Sequence, residues 1–205
     1  MDFQTRWLTH KYTGRDCTPR HRDHIDRIRL EVETSLMKIL LLAAVTLDGK
    51  IARNTHHFVN WSSREDKKLF FATSRQAGVI IVGNNTFKTL PSPLPGRLHI
   101  VLTTTLEGKE DIPGSVEYTD RTPPEIVADL EARGYSEAVL TGGAQINALF
   151  LQHGLVDEIW LTVEPLIFGA GIDLFRGLEF DLRAKLIHIE KLNEEGTVHL
   201  RYSLR

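Results

Sequence analysis

Residues 83–86, Gly-Asn-Asn-Thr, follow directly on the apolar run 79–82 and join a glycine to side chains that cap helices. A strand-to-helix turn of this composition can present backbone N–H groups to a phosphate or an amide, with Gly83 allowing close approach and Asn84 or Thr86 capping the next helix. It is equally the composition of an ordinary capped helix start. A second junction, Thr141-Gly142-Gly143-Ala144, follows the run 138–140, and the positive end of a helix there would suit a dinucleotide pyrophosphate. The Gly-Gly pair is not G-x-G-x-x-G, so a standard Rossmann domain is not supported. At a third junction, Thr103, Thr104 and Thr105 close the run 99–102 with hydroxyls and backbone donors that could contact a ribose or its 2′-phosphate. Arg97 lies one strand length away, and no arginine stands at the strand end itself.

Three such turns can share one ligand only if a sheet brings them to the same edge, beyond the carboxyl ends of its strands. The sequence supplies the elements: short β-branched runs at 38–44, 79–82, 99–103, 138–141, 158–164, 184–192 and 197–203, with helical segments between several of them. A helix over 64–76 places Leu69, Phe70 and Ala77 on helical spacing. Pro123 and Pro124 open another that Gly134 ends, and 144–152 reads as a third. Residues 193–196 are a short polar connection suited to a hairpin. The expectation is an α/β fold whose mixed, mostly parallel sheet ends in an antiparallel C-terminal hairpin.

A length of 205 residues with 41% hydrophobic content is enough for one substantial core. The net charge of -2 gives no electrostatic reason to expect a nucleic-acid or anionic-membrane partner, and favours a small molecule. The single cysteine, Cys17, excludes an internal disulfide framework and fits a reducing, cytoplasmic setting. The longest apolar stretch, 39–45, falls far short of the roughly 20 residues of a spanning helix. Residues 1–36 are rich in Arg, His and Asp without apolar periodicity, and read as a charged leader outside the core or as residues upstream of a start at Met37. Within them His21, Asp23, His24 and Asp26 have metal-ligand chemistry, but also the composition of a solvated charged arm; no metal site is expected.

From Met37 onward the sequence resembles the dihydrofolate reductase superfamily, particularly the branch containing the riboflavin-pathway pyrimidine reductases. The resemblance rests on AVTLDGKIA at 44–52, WSSRED at 61–66, VGNNT at 82–86, GGA at 142–144 and LVDEI at 155–159, in that order. It implies a three-layer dihydrofolate-reductase-like domain over 37–205 that uses NADPH to reduce a pyrimidine- or pterin-type substrate, as a 5-amino-6-(5-phosphoribosylamino)uracil reductase does. It also implies a homodimer, to which 159–163 could contribute. Dihydrofolate reductase activity, or a nucleotide-binding module without catalysis, are the alternatives on the same fold.

The same resemblance implies the site. Ala44 and Ile51 would contact the nicotinamide; Gly83, Asn84, Thr86, Thr103, Thr104, Gly142, Gly143 and Ala144 would hold the rest of the cofactor. Lys50 would face the substrate, binding a phosphate or polarising a carbonyl, although a lysine after an Asp-Gly turn can also be simply solvated. Asp66 falls where dihydrofolate reductases carry the acid that meets the pterin ring, and it would assist the proton that hydride transfer to C=N or C=O requires. Glu65 and Asp66 would also serve as plain dipole compensation in a first helical turn. Asp48, Trp61 and Gly169 would border the substrate. Residues 90–97, LPSPLPGR, resemble the proline-rich connection of dihydrofolate reductases instead. Thr141 stands where pyrimidine reductases often carry an acid, and the zinc-deaminase motifs often found ahead of those reductases are absent.

Overall fold

Between its terminal lysine and threonine, the segment Lys38–Thr46 has no polar side chain, the composition of a strand covered on both faces. In the computed structural model, which describes residues 37–55, 57, 60–177 and 181–205, this segment is the central strand β1. After it come β2 (Lys50–Ala52), α1 (Arg64–Ala77), β3 (Val79–Gly83), α2 (Asn84–Phe87), β4 (Leu98–Leu102), β5 (Val116–Thr119) and α3 (Pro123–Ala132). The chain continues through β6 (Glu137–Leu140), α4 (Ala144–Gln152), β7 (Glu158–Glu164), β8 (Ile172–Asp173), β9 (Lys185–Lys191) and β10 (Val198–Ser203). The leader, with Cys17 and the His21 to Asp26 cluster, lies outside the described residues.

Eight strands form one sheet in the order β5-β4-β3-β6-β1-β7-β10-β9. Neighbours from β5 to β7 run parallel, and β10 pairs antiparallel with both β7 and β9. The mixed sheet with an antiparallel C-terminal hairpin is thus as the sequence implied. Asn193 makes that hairpin's turn, its Oδ1 accepting from the Thr197 amide at 3.0 Å. Alternation along β3 separates the two cores: Ile81 packs with Ile126, Leu130 and Phe150 under α3 and α4, whereas Ile80 and Val82 pack with Phe70 and Phe87 from α1 and α2. The result is three layers.

Three strands escaped sequence reading. β5 has four residues, and β2 and β8 have three and two, forming a separate ribbon in which Lys50 stands opposite Asp173. Lengths of two and three carry no usable alternation, and β5, Val-Glu-Tyr-Thr, lacks the continuous apolar run that marked β6. The helix ends follow local chemistry. Ser63 caps α1, accepting from the Asp66 amide, and Gly78 ends it at φ 73°. Glu125 accepts from the Thr122 amide at 2.8 Å and from its hydroxyl at 2.7 Å, so α3 starts on a side-chain clamp before its prolines.

Two local expectations change. Asn84 and Thr86 do not cap α2: Gly83 is the cap residue and no side-chain cap bond forms. Leu69, Phe70 and Ala77 are not the deeply buried side of α1, whose buried residues are Asp66, Thr73 and Ser74. The cause lies underneath. Arg97, 6% exposed at the start of β4, donates to Ser74 Oγ at 3.0 Å, Phe71 O at 2.7 Å and Pro95 O at 3.1 Å. Its guanidinium is a bracket between helix and sheet.

Candidate functional site

The carboxyl ends of β1, β3, β4 and β6 open into one cleft of about 930 Å³, within the usual range for a ligand site. Its walls include Ala44 and Ile51, the turn residues Gly83, Asn84 and Thr86, Thr103 and Thr104, Gly143 and Ala144, and Asp66. Ten of the residues singled out from sequence therefore meet in one space.

The two glycine turns are locked together, because β3 and β6 are neighbours in the sheet. Gly83 N donates to Gly142 O at 2.6 Å. A Cβ on Gly83 would lie 2.9 Å from Ile146 Cγ1, and one on Gly143 would lie 3.0 Å from Thr86 Oγ1. Gly142 has φ 91°, where side chains are rarely tolerated, and the Gly142-Gly143 peptide is cis. These glycines serve turn-to-turn packing before any ligand arrives. Gly142 itself lies behind the cleft surface and contributes its carbonyl. On α4, Asn147 Nδ2 donates to Leu174 O at 3.0 Å, while its buried Oδ1 has no hydrogen-bond partner among the described residues and faces this junction.

At the other end of the cleft, Asp66 is 7% exposed. Burial pushes its carboxyl above the usual range, and the charge of nearby Glu164 pushes the same way. The Ser62 and Thr162 hydroxyls lie against it and favour its ionised form, without closing well-formed hydrogen bonds. Glu164, 3% exposed at the end of β7, accepts from the Ser63 amide at 2.6 Å and Thr197 Oγ1 at 2.8 Å. Two carboxyls thus lie close together, Glu164 behind Asp66, and only Asp66 lines the cleft.

Lys50, Asp48, Trp61 and Gly169 do not line the cleft. Lys50 Nζ sits 2.5 Å from Asp173 Oδ1, across the β2–β8 ribbon. Asp48 clasps two loops: its carboxylate accepts from Thr46 Oγ1 at 2.6 Å, Phe168 N at 3.1 Å and Gly169 N at 2.8 Å. The Thr46 hydroxyl, then those amides, hold its pKa down at about 2. Trp61 meets Phe168 edge-on at 5.1 Å, and Arg53 stacks 3.9 Å from the same ring. These residues form the rim.

The model of the family described as "RibD C-terminal domain" matches residues 37–198. The chain belongs to that family. A relative in Methanothermobacter thermautotrophicus, a 2,5-diamino-6-ribosylamino-4(3H)-pyrimidinone 5′-phosphate reductase, is 26% identical over 64% of this chain and 79% of its own. The dihydrofolate reductase type 9 of Escherichia coli is 30% identical over 60% of this chain and 67% of its own. Among solved structures, a diaminohydroxyphosphoribosylaminopyrimidine deaminase/5-amino-6-(5-phosphoribosylamino)uracil reductase from Thermotoga maritima superposes with a TM-score of 0.69 at 19% identity, over 87% of this chain and 60% of that one. That likeness shows the shared fold. Among the described residues, no helix is long and apolar enough to cross a membrane.

For this family member, sequence reasoning missed Glu164, Thr162 and Asn147. The first two had a signal: on a strand of period two, Trp160, Thr162 and Glu164 share one face, and buried polar residues in such a row mark a site. Asn147 had none, because an asparagine inside an apolar helix is explained only by the loop that packs on it.

Proposed function

We propose that this chain is an NADPH-dependent reductase that delivers hydride to a pyrimidine- or pterin-type substrate, in the manner of the riboflavin-pathway pyrimidine reductases. The observation that carries the reading is the opening of a buried Asp66, its pKa raised by that burial, onto the same cleft as the interlocked Gly83 and Gly143 turns. The cleft suits a dinucleotide: it has the volume, a helix start without side-chain cap at Gly143, and the unpartnered Asn147 oxygen as an acceptor. When bound, the reduced nicotinamide supplies the hydride.

The chain's own groups do the rest. Gly83, Asn84, Thr86, Gly143 and Ala144 hold the phosphates, with Gly142 fixing their turn; Thr103 and Thr104 hold the far ribose, and Ala44 and Ile51 flank the nicotinamide. Asp66 keeps a proton next to the C=N or C=O group being reduced, so that hydride on carbon is matched by a proton on the heteroatom. Lys50 reaches a substrate phosphate by exchanging Asp173 for it, while Asp48, Trp61 and Gly169 shape the entrance. Dihydrofolate reduction is the second reading, favoured by the position of Asp66 in the first turn of α1 facing the cleft and by Thr141 beside the Gly-Gly pair.

Calorimetric titration with NADPH and NADH tests the cofactor half, with micromolar binding of at least one expected; no binding of either at millimolar concentration removes the enzyme reading. Oxidation of bound NADPH on adding a ribosylaminopyrimidine phosphate, and not dihydrofolate, separates the two substrates. The same reading carries a cytoplasmic homodimer. Leu161, Leu200 and Ile189 stand in one cross-strand row from β7 to β9, and Ile189 is 63% exposed. Light scattering should return twice the chain mass, and Ile189→Glu should halve it; a monomeric wild type would remove the dimer.

A further inference from the structure

We propose that Lys109 reads a phosphomonoester on the adenosine ribose of the cofactor and so sets the preference for NADPH over NADH. This rests on the cofactor reading above. From β1 to β4 the sheet order is β1-β6-β3-β4, and three inter-strand steps of about 4.8 Å span about 14 Å. A dinucleotide with its nicotinamide by Ala44 and its phosphates at the glycine turns therefore carries its second ribose to the end of β4, at Thr103 and Thr104.

Hydroxyls there can bind a ribose but supply no charge for a dianionic phosphate. Thr103 Oγ1 is moreover turned toward Thr105, 3.2 Å from its carbonyl oxygen. The charge comes from the loop between β4 and β5. Lys109, half-buried, folds back so that Nζ donates to Asn84 Oδ1 at 3.2 Å and lies 5.2 Å from the centre of the Tyr118 ring. Asn84 lines the cleft. Both partners of the ammonium are neutral, and among the described residues no carboxylate lies within ion-pair distance of it. Glu107, Glu110 and Asp111 share its loop, but the ammonium itself is turned to Asn84 at the edge of the cleft, where a phosphate would arrive.

The neighbouring arginines are otherwise engaged. Arg97 is consumed by Ser74, Phe71 and Pro95, and Arg121 by Thr119 and Asp129. Arg176 does line the cleft, but its amide is bonded to Ala144 O at 3.3 Å, which puts it beside α4, two strands from β4. A reading of the strand end for arginine finds nothing because the cation is a lysine from a later loop.

The test uses the full chain and four variants of the assay ligand: NADPH, NADH, 2′,5′-ADP and 5′-AMP, titrated calorimetrically into wild type, Lys109→Ala and Lys109→Arg. Lys109→Ala should weaken NADPH and 2′,5′-ADP by about tenfold to a hundredfold, as loss of a charge-assisted hydrogen bond does. NADH and 5′-AMP should change by less than about threefold, and Lys109→Arg should keep most of the discrimination. Equal affinity of the wild type for NADPH and NADH, or equal loss of both in Lys109→Ala, overturns the role of Lys109 and leaves the cofactor reading standing. Binding of neither dinucleotide by the wild type instead overturns the cofactor reading itself, and Lys109 with it.

Discussion

Asp66→Asn should lower turnover by about a hundredfold to ten-thousandfold, the usual worth of a positioned proton donor, while NADPH affinity changes by less than about twofold. The separation follows from position: Asp66 sits on α1 against Ser62, Thr162 and Glu164, away from the glycine turns. The pH dependence has a definite sign. A carboxyl whose pKa is raised stays protonated to higher pH than usual, so wild-type turnover should fall as pH rises through that raised value. The asparagine variant should lose this limb.

The contribution of Asp66 to stability should fall with rising pH as well. Burial that favours the neutral form means that this contribution is fully present below the unfolded-state value of 3.8 and is lost as pH climbs through the folded-state pKa. At neutral pH, Asp66→Asn should therefore melt no lower than wild type, and higher if Ser62 and Thr162 satisfy the amide. A variant that loses activity and cofactor binding together, or melts well below wild type, would mean that Asp66 is structural. Steady-state kinetics across pH, with calorimetric binding and thermal melts, separates these outcomes.

Gly83→Ala should damage the other half of the site. Its new Cβ would stand 2.9 Å from Ile146 Cγ1 and 3.6 Å from both Gly142 O and Gly143 N. The crowding should cost about 1–3 kcal/mol, which for a chain of this size lowers Tm by about 2–4 °C per kcal/mol. To relieve it the turns must part, stretching the 2.6 Å bond from Gly83 N to Gly142 O, and NADPH affinity should fall at least about tenfold as preorganised donors move. Ile146→Ala provides the control. In that background the same Gly83→Ala change should cost at least about 1 kcal/mol less, a coupling that a double-mutant cycle measures directly. Additive effects would show that the glycine matters for another reason.

How much of this could be read from sequence depends on where the information resides. The ends of α4 at Ala144 and Gln152 and the run of β3 were legible, because glycine turns and apolar runs are local signals. α1 was legible as a helix but not in its packing, since the burial of Ser74 makes sense only with Arg97 beneath it. Gly83, Asn84, Thr103, Thr104, Gly143 and Ala144 meet in one cleft because they sit at or just after the carboxyl ends of β3, β4 and β6, and the sheet order does the assembling. Lys50 and Asp48 did not reach the cleft wall: their partners, Asp173 on β8 and the amides of Phe168 and Gly169 in the loop before it, come over a hundred positions later. For Glu164 the alternation along β7 gave a partial signal, but its burial beside Asp66 exists only after β7 has been laid against β1.

The clasp at Asp48 has a consequence for how the molecule responds to its surroundings. With a pKa of about 2, its carboxylate keeps the loop after β1 tied to the loop after β7 at any acidity a cell encounters. This tie between the two loops is indifferent to protons. Asp66, a short way inside, is the carboxyl that responds, so that a change of acidity retunes the chemistry while this clasp holds.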